Sequence, residues 1–321
     1  VGVFTSTAPV DSKVFCGAFL QKSDRLLWLP SLKVLVIKHG ALGDFVLALP
    51  AMAAIRAAHA GARVTLLTTA AYAGLGRAAP WFDEVLVDAK PAFWDLPGVW
   101  RLRGQLRGFD MVYDLQTSSR SSRYFGLAGR PDWSGIAPGC RYPDAPGRQG
   151  LHSRERLAGQ LVAAGIPAVG RADLGWLGAD VSRFGLPDEF VVLVPGAAAH
   201  RPEKRWPAAH FAALAAALPM PCVVVGGADE AGLGIPGLDL AGKTTMLELA
   251  GVIGRAKLAV GNDTGPMHLA AALGVKSVVL FSGASDPALT APLYPDGGWP
   301  TVLREPALKD LPVARVLAAL P

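Results

Sequence analysis

The sequence predicts an α/β chain of two doubly wound domains, each a parallel sheet covered by helices on both faces. Three observations predict it. Short buried-strand runs alternate with helical stretches from Lys33 onward. The alternation resets after residues 180–189, a segment that holds Gly185 and Pro187. The length of 321 residues suits about two domains, at roughly 100–200 residues each.

The elements follow in order. Residues 33–37 (KVLVI) read as a buried strand, followed by a Gly-containing turn and a helix from about 44 to 59. Residues 63–68 read as a strand, 70–78 as a short helix, and 84–87 and 110–115 as strands. An amphipathic helix is expected near 93–106, with further helices at 118–128 and 153–164. In the second half, strands are expected at 190–194, 222–225, 258–260 and 277–281. Helices are expected at 207–218, with Pro207 at its first position, at 246–255, at 265–273 and near 308–320. The expected organisation is a tail or mis-called start at 1–32, a first domain at 33–180 and a second at 181–305. A terminal helix at 306–321 is expected to pack back toward the first domain.

Composition narrows the function classes. The chain is 51% hydrophobic and 18% charged, which argues against disorder. No apolar run approaches the ~20 residues of a membrane helix. Three cysteines, Cys16, Cys140 and Cys222, have no CxxC spacing, so a disulfide framework or zinc site is not expected and a reducing, cytoplasmic setting fits. The net charge is +5, and it is uneven: residues 1–180 hold 20 Lys+Arg against 14 Asp+Glu, or +6, and the remainder −1. That excess suggests an anionic partner on the first half, a phosphate-bearing substrate or a membrane surface, or a plain solvated basic face. No nucleic-acid-binding motif accompanies it.

Four turns could carry chemistry. His39-Gly40-Ala41-Leu42-Gly43-Asp44 joins the first strand to its helix, at the carboxyl edge where doubly wound sheets bind ligands. On position alone Asp44 reads at least as well as a helix N-cap. A dinucleotide fingerprint fits poorly, since a further glycine and an acidic ribose ligand are missing. Residues 195–207 (PGAAAHRPEKRWP) place Arg201, Lys204 and Arg205 before a helix N-terminus, which suits a phosphate or a basic surface loop. Gly261-Asn262-Asp263-Thr264-Gly265-Pro266-Met267-His268 ends a strand and opens a helix; it could hold a diphosphate or merely cap the helix. Gly226-Gly227-Ala228-Asp229-Glu230 offers an acidic pair for sugar hydroxyls, or a solvated turn.

Taken together and in this order, the elements resemble glycosyltransferase family 9, whose best-known members are ADP-heptose:lipopolysaccharide heptosyltransferases. The likeness runs from about Lys33 to Leu320. It rests on NDTGPMHLAAALG at 262–274, KRWP at 204–207, GALGD at 40–44 and LPA at 49–51. The resemblance implies a GT-B fold, with two Rossmann-like domains facing across a cleft. It implies an inverting glycosyltransferase that moves a heptose from ADP-heptose to a lipopolysaccharide-core or related glycan; no DxD motif stands at a strand end, so neither metal nor cofactor is expected.

It also implies residue roles. Asp44 matches the general base and Lys204 a lysine on donor phosphate. Asp263, Thr264, Gly265 and His268 match the donor turn. Gly196, His200, Met246, Asp229 and Glu230 fall where the donor is held, and Gly43 and Arg120 on the acceptor side. In the family the loop before Lys204 often carries hydroxyls; here it is Ala197-Ala198-Ala199-His200, so His200 or backbone N–H groups would substitute. The implied partners are the nucleotide-sugar, an anionic lipid-linked glycan and the inner face of the inner membrane, for a peripheral monomer that binds no nucleic acid. A non-catalytic nucleotide- or sugar-binding protein and a nucleotide-sugar epimerase on the same fold are the alternatives.

Overall fold

The computed structural model describes residues 31–144, 147–167, 169–198 and 201–321. The expected tail at 1–32 therefore lies almost wholly outside the described residues, as do Cys16 and His200.

Two sheets hold all the strands among the described residues. The first contains β1 (Lys33–Ile37), β2 (Arg63–Thr68), β3 (Glu84–Val87), β4 (Met111–Asp114), β5 (Asp132–Gly135) and β6 (Tyr142–Pro143), in the order β3-β2-β1-β4-β5-β6. The second contains β7 (Val191–Val194), β8 (Cys222–Val224), β9 (Leu238–Asp239), β10 (Leu258–Asn262), β11 (Ser277–Phe281) and β12 (Thr301–Arg304), in the order β9-β8-β7-β10-β11-β12. Counted from its own first strand, each sheet follows the same 3-2-1-4-5-6 path, and every pairing is parallel. Parallel strands must be buried on both faces, which is why VLVI at 34–37 and VVLV at 191–194 are apolar without alternation.

The helices are α1 (Leu42–Ala58), α2 (Ala70–Ala78), α3 (Leu96–Leu106), α4 (Ser119–Ala128) and α5 (Ser153–Ala163), then α6 (Ala208–Ala217), α7 (Met246–Gly254), α8 (Gly265–Ala272), α9 (Pro287–Thr290) and α10 (Val313–Ala318). Helix α3 starts three residues later than expected, because Asp95 caps it by accepting from the Gly98 N–H. The strands β5, β6, β9 and β12 escape sequence reading. They are two to four residues long, and the first three are glycine- or proline-containing or carry Asp beside Leu.

Helix α1 is apolar around most of its circumference because residues 45–49, 51, 52 and 55 are buried, whereas Asp44 in its first turn and Ala57 and Ala58 at its end are exposed. It packs against α8 of the second lobe and against α5. Phe45, Leu49 and Met52 of α1 and Met267, Leu269 and Ala270 of α8 belong to one continuous apolar core, which also takes in Val36, Val192 and Phe281 from the sheets. The lobes are also tied where His152 Nε2 meets the Ala291 carbonyl at 2.9 Å and Ser153 Oγ donates to the Leu289 carbonyl at 3.2 Å.

The closing helix departs from expectation. Helix α10 packs on α6 rather than back toward the first lobe. Val316 joins Leu311, Phe211 and Trp206 in a core confined to the second sheet, and Trp206 Nε1 donates to the Leu311 carbonyl at 2.9 Å. Cys140 and Cys222 are free and buried.

Candidate active site

The carboxyl ends of β1 and β10 deliver the loops that lead into α1 and α8, so the N-termini of these two helices meet. Both approaches depend on glycine. A side-chain carbon on Gly43 would lie 2.7 Å from His268 Cδ2, and one on Gly265 would lie 2.5 Å from Leu42 Cβ. Gly40 has a φ of +114°, the left-handed region, and a side chain there would collide with the Tyr72 ring.

A cleft of about 460 Å³ opens beside this meeting point. Gly43 and Asp44 line it from the first lobe; Lys204, Asp263, Thr264, Gly265, His268 and Ser285 line it from the second. A second cavity of about 270 Å³ lies alongside, with Thr264 common to both. Gly196, Ala197, Glu230, Thr245 and Met246 line that one.

Asp44 does not cap α1. The N-cap is Ala41, and no side chain bonds there. Asp44 sits exposed in the first turn and accepts no hydrogen bond among the described residues. Its charge is felt by its neighbours. Burial raises the pKa of Tyr72 and the Asp44 charge raises it further. Burial lowers that of Lys38, against the opposing pull of Asp44 and Asp114. Lys38 is buried beneath the loop and donates to the Leu115 carbonyl at 3.1 Å. His39 N–H donates to Gln116 Oε1 at 2.9 Å, fixing the loop from below.

The second lobe supplies a held cation. Lys204 Nζ donates to Asp263 Oδ2 at 2.7 Å, and Ser285 Oγ donates to the same oxygen at 2.8 Å. The Asp263 carboxylate is thus committed to positioning Lys204. Thr264 is the N-cap of α8 but its side chain makes no capping bond; Pro266 has no N–H and Met267 N–H donates to the Thr264 carbonyl at 3.0 Å, so the start of that helix brings the Gly265 N–H to the cleft. The capping alternative for Asp263 and Thr264 therefore fails.

Asn262, fully buried, clamps the loops. Its Nδ2 donates to the Pro195 carbonyl at 2.7 Å, and its Oδ1 accepts from Trp206 N–H at 3.0 Å. His268 is buried, and burial drops its pKa to about 4, despite Asp263 and Asp44 nearby. It is a neutral imidazole at ordinary pH.

Most of the predicted residues converge. Asp44, Gly43, Lys204, Asp263, Thr264, Gly265 and His268 share the cleft; Gly196, Glu230 and Met246 share the adjoining cavity. Of the expected acidic pair, Glu230 is buried, lines the adjoining cavity and accepts from Gly227 N–H at 2.7 Å, whereas Asp229 departs from expectation: it is exposed and lines neither space. Arg120 does not join them. It lines a separate cavity between α3 and α4, where Nη1 donates to the Pro91 carbonyl at 3.2 Å. Asn262, Ser285 and Tyr72 were not singled out. The one sequence signal for Asn262 is a polar residue ending an otherwise apolar buried strand. Among the described residues, no group of three or more His, Cys, Asp or Glu is placed to hold a metal ion.

Residues 171–299 match the family described as Glycosyltransferase family 9 (heptosyltransferase). The matched stretch takes in Lys204, Asp263 and His268, and every residue lining the adjoining cavity except Leu42.

Among solved structures, the chain is similar to a family 9 glycosyl transferase from Veillonella parvula, with 22% identity and a TM-score of 0.77 over 90% of this chain and 95% of that one. It is similar to E. coli ADP-heptose lps heptosyltransferase II, at 23% identity and a TM-score of 0.70, over 90% and 97%. It is also similar to E. coli heptosyltransferase WaaC solved with ADP, at 22% identity and 0.68, over 89% and 98%. These likenesses show the fold of the whole architecture: two facing Rossmann-like lobes, the GT-B fold. A comparison with curated proteins by sequence gives no match.

Proposed function

We propose that the chain is an inverting glycosyltransferase that moves a heptose from ADP-heptose to a hydroxyl of an anionic, lipid-linked glycan of the lipopolysaccharide-core type. It works at the cytoplasmic face of the inner membrane. One observation carries the reading: an unpartnered carboxylate, Asp44, shares a cleft with a carboxylate-held lysine, Lys204, and an uncapped helix N-terminus.

Direct displacement needs charge of opposite kinds on two sides of the reacting carbon. The leaving diphosphate gathers negative charge as the bond breaks. Lys204 and the N-terminus of α8 favour that charge, and they are preorganised for it by Asp263, Ser285 and Asn262. The attacking hydroxyl must lose a proton. Asp44 comes from the other lobe and has no partner among the described residues, so its oxygens are available to take it. The adjoining cavity of about 270 Å³ suits the nucleoside, with Met246 supplying an apolar wall and Glu230 a carboxylate near the ribose position. His268, neutral and buried under Gly43, shapes the floor between the two sites without adding charge. The likeness to heptosyltransferase WaaC, solved with ADP, and to ADP-heptose lps heptosyltransferase II supports adenine and heptose.

The test is a thermal-shift panel of ADP, UDP, GDP and dTDP on the full chain. ADP is expected to raise the melting temperature most. A larger shift with another base contradicts the adenine and heptose assignment.

A further inference from the structure

Helix α3 has an outward face that no described segment covers. Leu96, Trp100 and Arg103 recur along it at helical spacing, with Arg107 just past its end. Leu102 and Leu106 occupy the opposite face and are buried. The loop before the helix adds Phe93 and Trp94, whose rings meet edge-on at 4.7 Å. Phe93 is 78% exposed, Trp94 73%, Trp100 68% and Leu96 64%. Four large apolar side chains in eight residues, all in water, is an arrangement that soluble surfaces avoid unless something covers them.

The charge around the patch is one-sided. Residues 90–107 hold Lys90, Arg101, Arg103 and Arg107 against Asp95, and that carboxylate is engaged at the helix cap. The Arg103 guanidinium lies over the Trp100 ring, 5.2 Å from its centre. Next to it, between α3 and α4, is the cavity of about 430 Å³ that Arg120 and Arg123 line with Phe93, Val99 and Tyr124. Apolar walls with arginines at the rim match a surface that is apolar inside and negatively charged outside.

We infer that α3 and the loop before it form a membrane-docking surface that seats Phe93, Trp94, Leu96 and Trp100 in the interface of an anionic phospholipid bilayer. Tryptophan and phenylalanine favour the headgroup boundary, and arginines beside them pair with lipid phosphates. The position suits the site. Helices α3 and α4 begin at the carboxyl edge of the first sheet, as α1 does with Asp44. A chain of contacts joins the two regions. Tyr124, a wall of the cavity, donates to Asp88 Oδ2 at 2.7 Å, and Asp88 lies 3.0 Å from His39 Nε2, at the head of the loop that ends in Asp44. Docking here brings a membrane-borne acceptor to the edge of the sheet on which Asp44 stands. The purpose, though not the binding, rests on the lipid-linked acceptor proposed above.

The experiment is sedimentation of the full chain with vesicles of phosphatidylglycerol in phosphatidylcholine, against phosphatidylcholine alone. Three proteins are compared: the wild type, Trp94→Ser/Trp100→Ser and Arg103→Glu/Arg107→Glu. Wild type is expected on the anionic vesicles, with a blue shift of tryptophan emission. Each variant is expected to bind at least about tenfold more weakly while keeping its melting temperature. Equal binding of variants and wild type, or no preference for the anionic lipid, overturns the inference. So does a wild-type dimer that the variants convert to monomer without any vesicle binding, since the patch would then be a self-interface. Asp44→Asn is expected to sediment like wild type. A wild type that transfers to a soluble acceptor but does not bind the anionic vesicles would refute docking alone, and a wild type that binds the vesicles but transfers to no acceptor would refute the transfer reading alone.

Discussion

Asp44 and Asp263 look alike in the sequence, each an acid in a glycine-bearing turn before a helix. The structure separates them. Asp263 is bound to Lys204 and Ser285, whereas Asp44 has no partner among the described residues. Spacing could not show this, because the partners of Asp263 come from 59 and 22 residues away. His268 is the other residue whose role depends on its surroundings. Burial drops its pKa to about 4, well below the 6.5 of an exposed imidazole. As pH falls through that interval, the unfolded chain takes up a proton that the folded chain refuses, so the site lowers stability by up to about 3 kcal/mol. Asp114 works in the opposite sense. Burial raises it to about 6 from 3.8, so its contribution to stability grows as pH falls through that range. The two partly cancel in the wild type. A His268→Gln variant isolates the histidine: its stability advantage over wild type should grow from pH 6.5 toward 4, measured by urea titration. A constant difference would mean that the imidazole protonates freely in the fold.

At the scale of elements, the crossing of α1 and α8 builds the site. The apolar stretch around α1 was legible as a helix, but its burial follows only from the second lobe packing on it. From sequence, the glycines of GALGD suit a turn at a ligand-binding edge and that of DTG a turn that could hold a diphosphate. Gly43 and Gly265 do line the cleft, yet each is also required where one helix touches the other. Gly43→Ala tests this directly. Alanine is the better helix former by about 1 kcal/mol, so an open site would be stabilised. A methyl 2.7 Å from the His268 ring should instead cost about 1–3 kcal/mol. Pairing it with His268→Ala, which removes the ring, should recover most of that clash in a double-mutant cycle. Additive losses would show that the crowding lies elsewhere.

Over the whole molecule, the two-lobed α/β architecture was readable because each lobe repeats the same strand–helix rhythm. The short edge strands and the seating of α10 on α6 were not, since each is decided by contacts made far along the chain. The charge split also takes on a place. Part of the basic excess of the first half lies on α3 and α4, beside exposed aromatics and away from the cleft, which is where Arg120 was found. The chemistry proposed here divides between the lobes: Asp44 takes the proton from one side, and Lys204 with α8 holds the leaving phosphate from the other. The direct measurement is transfer from ADP-heptose to a lipopolysaccharide-core acceptor by Asp44→Asn, with the thermal shift by ADP measured in parallel. The account predicts that transfer falls by roughly 10²–10⁴-fold while the ADP shift matches wild type. Near-normal transfer by that variant would contradict it.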